Sequence, residues 1–148
     1  MQFRLFVADD FRPLADGKTL AVGLFADSVV ILHASQAVIE QSTAGVPLVT
    51  TLGFLACVTG IEPGEHKFSL SFHAPDGAAL PYRLDMSRRV GEDGSANIVV
   101  NVQMFEVRTG GAYTVQIAVD DGEPMRETVT LRLKPIAAPA PPAPSKPQ

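Results

Sequence analysis

The chain has 148 residues, with 12 basic and 16 acidic side chains, and its formal net charge at pH 7 is −4. This length suits one domain, and a hydrophobic fraction of 46% beside 19% charged residues excludes intrinsic disorder over the whole chain. The mild negative charge, without clustered lysine and arginine, argues against nucleic acid as a partner.

Neither a secretory signal nor a membrane-spanning segment is predicted. The first ten residues contain a short apolar stretch but no small-residue cleavage site, which a secretory signal would need. The longest weakly polar run, residues 48–58, is far shorter than the roughly 20 apolar residues that span a bilayer. The single cysteine, Cys57, allows no intrachain disulfide and suits a reducing compartment, so we expect a cytoplasmic protein without membrane contact.

Apolar and polar residues alternate near the start of the chain, as they do in half-buried strands. The alternating apolar residues are Phe3, Leu5 and Val7 in a first predicted strand and Leu20, Val22 and Leu24 in a second. Between these strands, Pro13 and the pair Asp16-Gly17 predict a turn. Residues 34–41 follow, where apolar and polar positions at helical spacing predict a short helix.

Two segments in the middle of the chain carry apolar side chains on both faces. Residues 48–58 have the pattern of a central strand, and residues 99–107 share this two-sided character. An apolar side chain that points away from the core must be covered or stay exposed. We therefore expect the second sheet or another subunit to cover the outward sides of these strands.

The remaining strands alternate regularly. Their apolar positions are Phe68, Leu70 and Phe72; Leu80, Tyr82, Leu84 and Met86; Ile98, Val100, Val102 and Met104; Tyr113, Val115, Ile117 and Val119; and Val129, Leu131 and Leu133. Turn residues at 74–79 and 120–124 join the first two and the last two of these strands into predicted hairpins. The alternation changes phase near residues 105–107, which predicts a bulge or a strand exposed on both faces.

Seven to nine short strands without long helices predict an all-β, antiparallel sandwich rather than a parallel α/β sheet. The Gly111-x-Tyr113-x-Val115 segment resembles the opening of the penultimate strand in immunoglobulin-like domains, whose tyrosine hydroxyl bonds to backbone near a corner that joins the sheets. Without tryptophan or a second cysteine, an antibody-type domain is excluded. Prolines crowd the end of the chain, so residues 1–134 are the predicted sandwich domain and residues 135–148 a disordered tail.

The sequence contains no recognisable set of catalytic residues. His66 and His73 are seven apart in one predicted strand, so they point to opposite faces and do not share a metal. Cys57 lies in the most apolar strand, which favours a buried, inert thiol. Neither a nucleophile elbow nor a phosphate-binding glycine loop is present. We therefore expect a protein without catalytic residues or cofactor, and not an enzyme.

Acidic residues in loops are the remaining candidates for a binding site. Calcium takes oxygen ligands, and the loops of a sandwich converge at its ends, so these carboxylates could form a calcium site. The calcium candidates are Asp9, Asp10, Asp27, Asp120, Asp121 and Glu123. Turn geometry by itself also favours acidic residues, since their side chains bond to nearby amides. The two explanations of these carboxylates both stay open.

Several short motifs resemble a family of small uncharacterised bacterial and phage proteins. They are Asp9-Asp10 at the end of a strand, Asp16-Gly17-Lys18, Gly23-Leu24-Phe25, the turn Glu62-Pro63-Gly64, and Gly111-x-Tyr113. The likeness extends over most of residues 1–133. The resemblance implies an immunoglobulin-like sandwich without an assigned activity and without catalytic residues.

Surplus apolar strand faces without reactive groups favour a non-catalytic protein-interaction or structural module of a bacterium or phage. Such a module binds another protein or associates with itself as a homo-oligomer, through edge strands and the two-sided strands. The alternative is a ligand-binding module that uses the acidic loops for calcium or the sandwich surface for carbohydrate. The carbohydrate version is weakened because Tyr82 and Tyr113 are the only tyrosines and tryptophan is absent.

Overall fold

The computed structural model describes residues 1–136, which form two sheets and one short helix. In chain order the elements are β1 (Gln2–Pro13), β2 (Thr19–Phe25), β3 (Val29–Ala34), α1 (Gln36–Thr43), β4 (Leu48–Thr59), β5 (Gly64–His73), β6 (Ala79–Val90), β7 (Ser95–Val107), β8 (Gly111–Val119) and β9 (Met125–Pro135). Sheet A has the strand order β2-β1-β4-β7, and sheet B has the order β3-β9-β8-β5-β6. The apolar sides of both sheets meet in one buried core.

The all-β prediction is confirmed, and β4 is a central strand as predicted. One pair of strands departs from the predicted antiparallel arrangement, because β3 runs parallel to β9. The sequence pattern does not predict β3, because its residues are mostly apolar and do not alternate. A 3-10 turn at Ala26–Ser28 separates β2 from β3, and there the chain leaves sheet A for the edge of sheet B.

The predicted helix is confirmed, with its start at Gln36. Ser35 caps it, because the Ser35 hydroxyl accepts a hydrogen bond from the Val38 N–H at 3.3 Å. Near the other end, the buried Ser42 hydroxyl lies 3.2 Å from the Val107 carbonyl oxygen, which attaches the helix to the end of β7. Among the described residues, no helix is long and apolar enough to cross a membrane.

β7 contains the bulge that the change of phase predicts. Leu52 of β4 pairs with Val102 of β7, but Thr50 pairs with Phe105, so β7 has two residues where β4 has one. The extra residue moves Phe105 from the outward face to the core. Met104 instead points outward and is 67% exposed.

Phe105 is the centre of an aromatic cluster that joins the two sheets. Its ring centroid lies 5.7 Å from that of Phe54, 6.0 Å from Phe72, 5.4 Å from Tyr82 and 5.8 Å from Tyr113. Phe54 belongs to sheet A, whereas the other three rings belong to sheet B. Aromatic pairs at such distances contribute about 0.5–1.5 kcal/mol each beyond their burial, so this cluster holds the layers together.

Two tyrosine hydroxyls bond to backbone at the rim of the aromatic cluster. Tyr113 donates to the Thr109 carbonyl oxygen at 2.7 Å, as its strand-opening motif implies. Tyr82 donates to the Met104 carbonyl oxygen at 2.7 Å and accepts from the Glu106 N–H at 2.7 Å. At the edge of β7, the Tyr82 hydroxyl forms the two hydrogen bonds that the backbone of a neighbouring strand would otherwise form. Since Tyr82 belongs to sheet B, these bonds also link the two sheets.

The last strand passes the predicted domain boundary at residue 134 by one residue. β9 continues to Pro135, and the Ile136 N–H donates to the Ala34 carbonyl oxygen at 2.8 Å. The rest of the predicted tail, residues 137–148, lies outside the described residues.

We expect Tyr82→Phe to destabilise the fold more than Tyr113→Phe. Both variants keep the ring, but the first removes two hydrogen bonds to β7 and the second removes one. At about 0.5–1.5 kcal/mol per net hydrogen bond, Tyr82→Phe lowers the free energy of unfolding by about 1–3 kcal/mol, and Tyr113→Phe by about half of that. Urea denaturation of the two variants measures the difference, and equal losses would contradict the bridging role of Tyr82.

Candidate interaction site

Both ring nitrogens of His66 are hydrogen-bonded. Its Nδ1 lies 2.6 Å from Asp120 Oδ2, and its Nε2 lies 2.6 Å from the Glu62 carbonyl oxygen. Both partners accept hydrogen bonds, so the ring donates from both nitrogens, as an imidazolium does. These bonds, first that to Asp120 and then that to Glu62, raise the pKa of His66 above its ordinary value. His66 thus ties the β4–β5 loop to the β8–β9 turn.

Both the backbone and the carboxylate of Asp120 are hydrogen-bonded to β5. Its backbone N–H donates to the Lys67 carbonyl oxygen at 2.8 Å, and its Oδ1 accepts from the Lys67 N–H at 2.9 Å. The bond from Lys67 and then that from His66 hold the pKa of the Asp120 carboxyl below its ordinary value. His73 lies on the opposite face of β5 from His66, as predicted. The pair His66–Asp120 therefore serves the structure of the turn and has no second histidine beside it on its strand.

The prediction of a buried Cys57 is wrong. Cys57 alternates with the core residues Ala56 and Val58, so it points to the outward face of sheet A and is half-buried there. Burial raises the pKa of its thiol, against a smaller opposing effect of the Arg4 charge. The raised pKa favours the protonated form of the thiol.

The six calcium candidates are dispersed over the fold. Asp9 and Asp10 lie within β1 rather than after it, which corrects the predicted end of the first strand. Asp10 pairs with Arg12 at 2.7 Å, and Asp27 lies in the 3-10 turn. Asp120, Asp121 and Glu123 occupy the β8–β9 turn, as predicted. Over residues 1–136, no group of three or more histidine, cysteine or acidic side chains could hold a metal ion.

The second half of β1 leaves the plane of sheet A and crosses its outward face. Phe11 lies on Gly53 of β4, where a Cβ atom would be 2.9 Å from Phe11 Cδ2 and 3.2 Å from the Phe11 nitrogen. Asn101 of β7 fixes this position: its Oδ1 accepts from the Phe11 N–H at 3.0 Å, and its Nδ2 donates to the Phe11 carbonyl oxygen at 2.9 Å. Gly53 is needed because the backbone of another strand approaches so closely.

The turn of the β1–β2 hairpin extends further, to the gap between the sheets. Lys18 lines a cavity of about 510 Å³ together with Leu84 and Met86 of β6 and Val99 of β7. The hairpin therefore covers part of the outward sides of β4 and β7. The sequence predicts that the second sheet or another subunit covers these outward sides. For the part under the hairpin, neither is needed.

β2 itself remains exposed. It pairs only with β1, and none of its seven residues, TLAVGLF, is charged. Leu20, Val22 and Leu24 share one face of the strand and are 45%, 40% and 58% exposed. Gly23 has φ +67° and lies against the Asp9 carboxylate, which leaves no room for a side chain. Natural edge strands usually carry charges, prolines or bulges that prevent pairing. β2 has neither a charge nor a proline.

The other edge of sheet A is obstructed. Besides the two hydrogen bonds of Tyr82, Arg88 of β6 donates from Nη1 to the Asn97 carbonyl oxygen of β7. Between these contacts lies a groove of about 490 Å³, lined mainly by apolar residues that include Leu84 and Val100. Side chains from sheet B thus occupy both ends of the β7 edge, whereas β2 has no such cover among the described residues.

Comparisons with known proteins identify a family but no activity. A family model described as "Family of unknown function (DUF6941)" matches residues 38–132. This range includes the turn Glu62-Pro63-Gly64 and the segment Gly111-x-Tyr113, whereas the opening motifs of the predicted resemblance lie before it. No curated protein matches the sequence.

The similar solved structures are distant. One is the Pseudomonas fluorescens alkylpurine DNA glycosylase AlkC bound to DNA containing an abasic site analog, with 14% identity, a TM-score of 0.40, and coverage of 72% of this chain and 28% of that chain. Two others are a β-glucosidase from Listeria innocua with glucose and with gluconolactone, at 9% and 10% identity and a TM-score of 0.35, covering 88% of this chain and 16% of theirs. This chain spans less than a third of each, and no functional argument follows from such scores.

We expect Asp120→Asn to destabilise the protein in a pH-dependent way. Asparagine keeps the turn and the bond from Lys67 but loses the charge that pairs with His66. The raised pKa of His66 contributes stability below its unfolded value of 6.5, and this stability is lost as the pH rises through the folded value. The lowered pKa of Asp120 contributes stability above its unfolded value of 3.8, and this is lost as the pH falls.

Asp120→Asn therefore lowers the free energy of unfolding most between pH 3.8 and pH 6.5, the two unfolded pKa values. The difference from the wild type becomes smaller at alkaline pH. Urea midpoints measured from pH 4 to pH 9 give this profile. Asp121→Asn is the matched control, because Asp121 also has a positive φ but does not bond to His66. A deficit that stays constant with pH would refute the charged pairing.

We expect Gly53→Ala to displace the hairpin, because the new methyl group would lie 2.7 Å from Asn101 Oδ1 and 2.9 Å from Phe11 Cδ2. Overpacking of this kind costs about 1–3 kcal/mol, and the Phe11 amide exchanges faster with deuterium. In an Asn101→Ala background the hairpin is already released, so the same substitution should cost less. A cost that is equal in both backgrounds would show that Gly53 does not serve the hairpin contact.

Proposed function

Since the chain belongs to the DUF6941 family of unknown function, we propose that it is a non-catalytic protein-interaction module in which β2, the free edge of sheet A, contacts a protein partner or a second copy. The observation that carries this proposal is an edge strand without charge, whose leucine and valine side chains are about half exposed. Leaving them in water costs roughly 25 cal/mol for each Å² of apolar surface, which a partner would recover.

The hairpin contact supports the same assignment. Asn101 and Gly53 hold the second half of β1 on the outward face of sheet A, so β2 is presented on a supported strand and not on a loose loop. A preorganised strand loses less conformational entropy when it binds. Strand addition to a sheet edge is a common way for proteins to bind extended segments of their partners.

The chemistry of the reactive side chains supports a role without catalysis. His66 is committed to the Asp120 and Glu62 bonds, and the Cys57 thiol has a raised pKa. Asp85 accepts from Ser69 at 2.6 Å and from Arg83 at 2.9 Å, so it too is occupied. His66 and Asp85 thus have protein partners for their hydrogen bonds, and the raised pKa of Cys57 favours its protonated thiol over the nucleophilic thiolate.

We propose in addition that the sandwich is immunoglobulin-like. Its support is the connectivity: β4 and β7 are neighbours in one sheet, as strands B and E are in that fold, and β9, β8, β5 and β6 follow one another in the other sheet, as strands G, F, C and C′ do. The Tyr113 hydroxyl bond at the start of β8 also has the place of the tyrosine corner, which opens strand F.

Photo-crosslinking in the native host tests the interaction function. A photoreactive phenylalanine analogue replaces Val22 in the full chain, and irradiation is expected to give a covalent adduct whose protein component is identified by mass spectrometry. The matched control carries the analogue at Thr128, which is exposed on β9 of sheet B. Adducts of equal yield at both positions, or none at Val22, would contradict the proposed contact.

A further inference from the structure

We propose that the cavity under the turn of the β1–β2 hairpin binds a medium-chain fatty acid, with the carboxylate at Arg88 and the alkyl chain along Leu84 and Met86. This site goes beyond the proposed contact of β2 and lies on a different surface. Three features of the cavity support it: its walls, its apolar lining, and the charge of Arg88.

Three separate elements of the fold border the cavity. β6, the edge of sheet B, and β7, the edge of sheet A, form two of its walls, and the hairpin turn forms the third. The turn is held in place because Asn101 bonds to both backbone groups of Phe11, in the strand that leads to it. The volume of about 510 Å³ lies within the range of about 300–1,000 Å³ that is typical of small-molecule sites. The cavity is therefore formed before any ligand binds.

The lining of the cavity is mainly apolar. Leu84 and Met86 lie on the core side of β6 and are only partly buried, so each keeps a surface that faces the cavity. Val99 lines the cavity from β7, and Leu14, which is 44% exposed, lines it from the hairpin turn. A hydrocarbon chain that covers these side chains removes apolar surface from water, which is the main driving force for binding such a chain.

Arg88 supplies a positive charge at one end of this lining. It follows Met86 by two residues on the same face of β6, and its Nη1 donates to the Asn97 carbonyl oxygen, which leaves its other N–H groups for a ligand. Among residues 1–136, no carboxylate forms an ion pair with Arg88, and none of the residues that line the cavity is acidic. The other basic residue, Lys18, already pairs with Asp16 at 3.6 Å. Arg88 is therefore the charge that remains for an anionic head group.

The length of the lining indicates the size of the ligand. Arg88 and Leu84 are four residues apart, or about 13 Å along the strand, which an extended chain of about ten carbons also spans. A guanidinium binds a carboxylate through two parallel, charge-assisted hydrogen bonds. One carboxylate on an alkyl chain of this length therefore matches both the charge and the apolar surface of the cavity.

Two other cavities of similar size lack this combination. The groove of about 490 Å³ along β7 is also apolar, but its basic residue, Arg83, pairs with Asp85 at 2.9 Å. The cleft of about 460 Å³ on the outward side of β5 and β6 is lined by two basic and two acidic residues, namely Lys67, Arg83, Asp85 and Asp121. The cavity under the hairpin has both an apolar lining and, among residues 1–136, a guanidinium without an acidic partner.

An NMR titration of the full chain with decanoate, kept below the concentration at which it forms micelles, tests the site. The amide signals of Met86, Arg88 and Val99 should shift saturably. Octanoate should bind about tenfold more weakly, because it has two fewer CH₂ groups to bury. Decanol and decyltrimethylammonium are the matched control ligands: each has a ten-carbon chain without a negative charge, so each should bind at least about tenfold more weakly than decanoate.

Substitutions test the role of the charge. Arg88→Met keeps an apolar side chain but removes the guanidinium, so decanoate should bind at least about tenfold more weakly, whereas Arg88→Lys should retain most of the affinity. Arg89→Met is the matched control, because Arg89 lies on the opposite face of β6 and does not line the cavity. Lys18→Met should change the affinity by less than about threefold, since Lys18 already pairs with Asp16.

A further variant leaves the bond between Arg88 and Asn97 intact. Thr19 is exposed and lines the cavity, so Thr19→Glu places a carboxylate there without changing the core. This variant should bind decanoate more weakly through repulsion between the two carboxylates, and it should bind decanol as the wild type does.

The titrations can overturn the proposal in two ways. If the three amide signals do not shift saturably at millimolar decanoate, the cavity is not a ligand site. If decanol binds as tightly as decanoate, or if Arg88→Met binds decanoate as the wild type does, the carboxylate is not recognised and the fatty acid is the wrong ligand. The adduct expected at Val22 neither requires nor excludes bound decanoate, so the two proposals fail separately.

Discussion

The packing of this molecule depends on one irregularity, the extra residue in β7 that turns Phe105 into the core. Without the bulge, Phe105 would point outward and Met104 inward, and the four rings around Phe105 would lose their common contact. The bulge also frees the Met104 carbonyl and the Glu106 N–H from the ladder, and the Tyr82 hydroxyl satisfies both. The core and the edge of sheet A are thus built by the same residue insertion.

Much of this architecture can be read from two-residue periodicity. The strands β5, β8 and β9, the bulge in β7 and the short helix were predicted because their patterns are local. β3 was missed because a short apolar run without alternation gives no period. Periodicity also does not predict that the β1–β2 hairpin covers the outward side of β4. It shows which side chains share a face, but not which other segment of the chain lies on that face.

The sequence contains one signal for the hairpin contact. Gly53 interrupts an otherwise bulky central strand, and a glycine at such a position often marks a close backbone approach. Asn101, whose amide can bond to both groups of one peptide, is the complementary signal on β7. For the candidate site, the sequence predicts only that edge strands and the two-sided strands carry a contact, without pointing to β2. The alternation of Leu20, Val22 and Leu24 predicts a half-buried strand, yet all three side chains are exposed.

The obstruction of the β7 edge by Tyr82 and Arg88 has a consequence for the size of any assembly. A sheet that is open at both ends can add copies without limit and grow into a fibre. Within residues 1–136, sheet A has an unobstructed edge only at β2, so two copies joined there would leave no open edge of sheet A for a third copy. Tyr82 and Arg88 of sheet B would thus prevent further strands from adding at β7. With that edge covered, the exposed apolar strand β2 would not lead to polymerisation of the chain through sheet A.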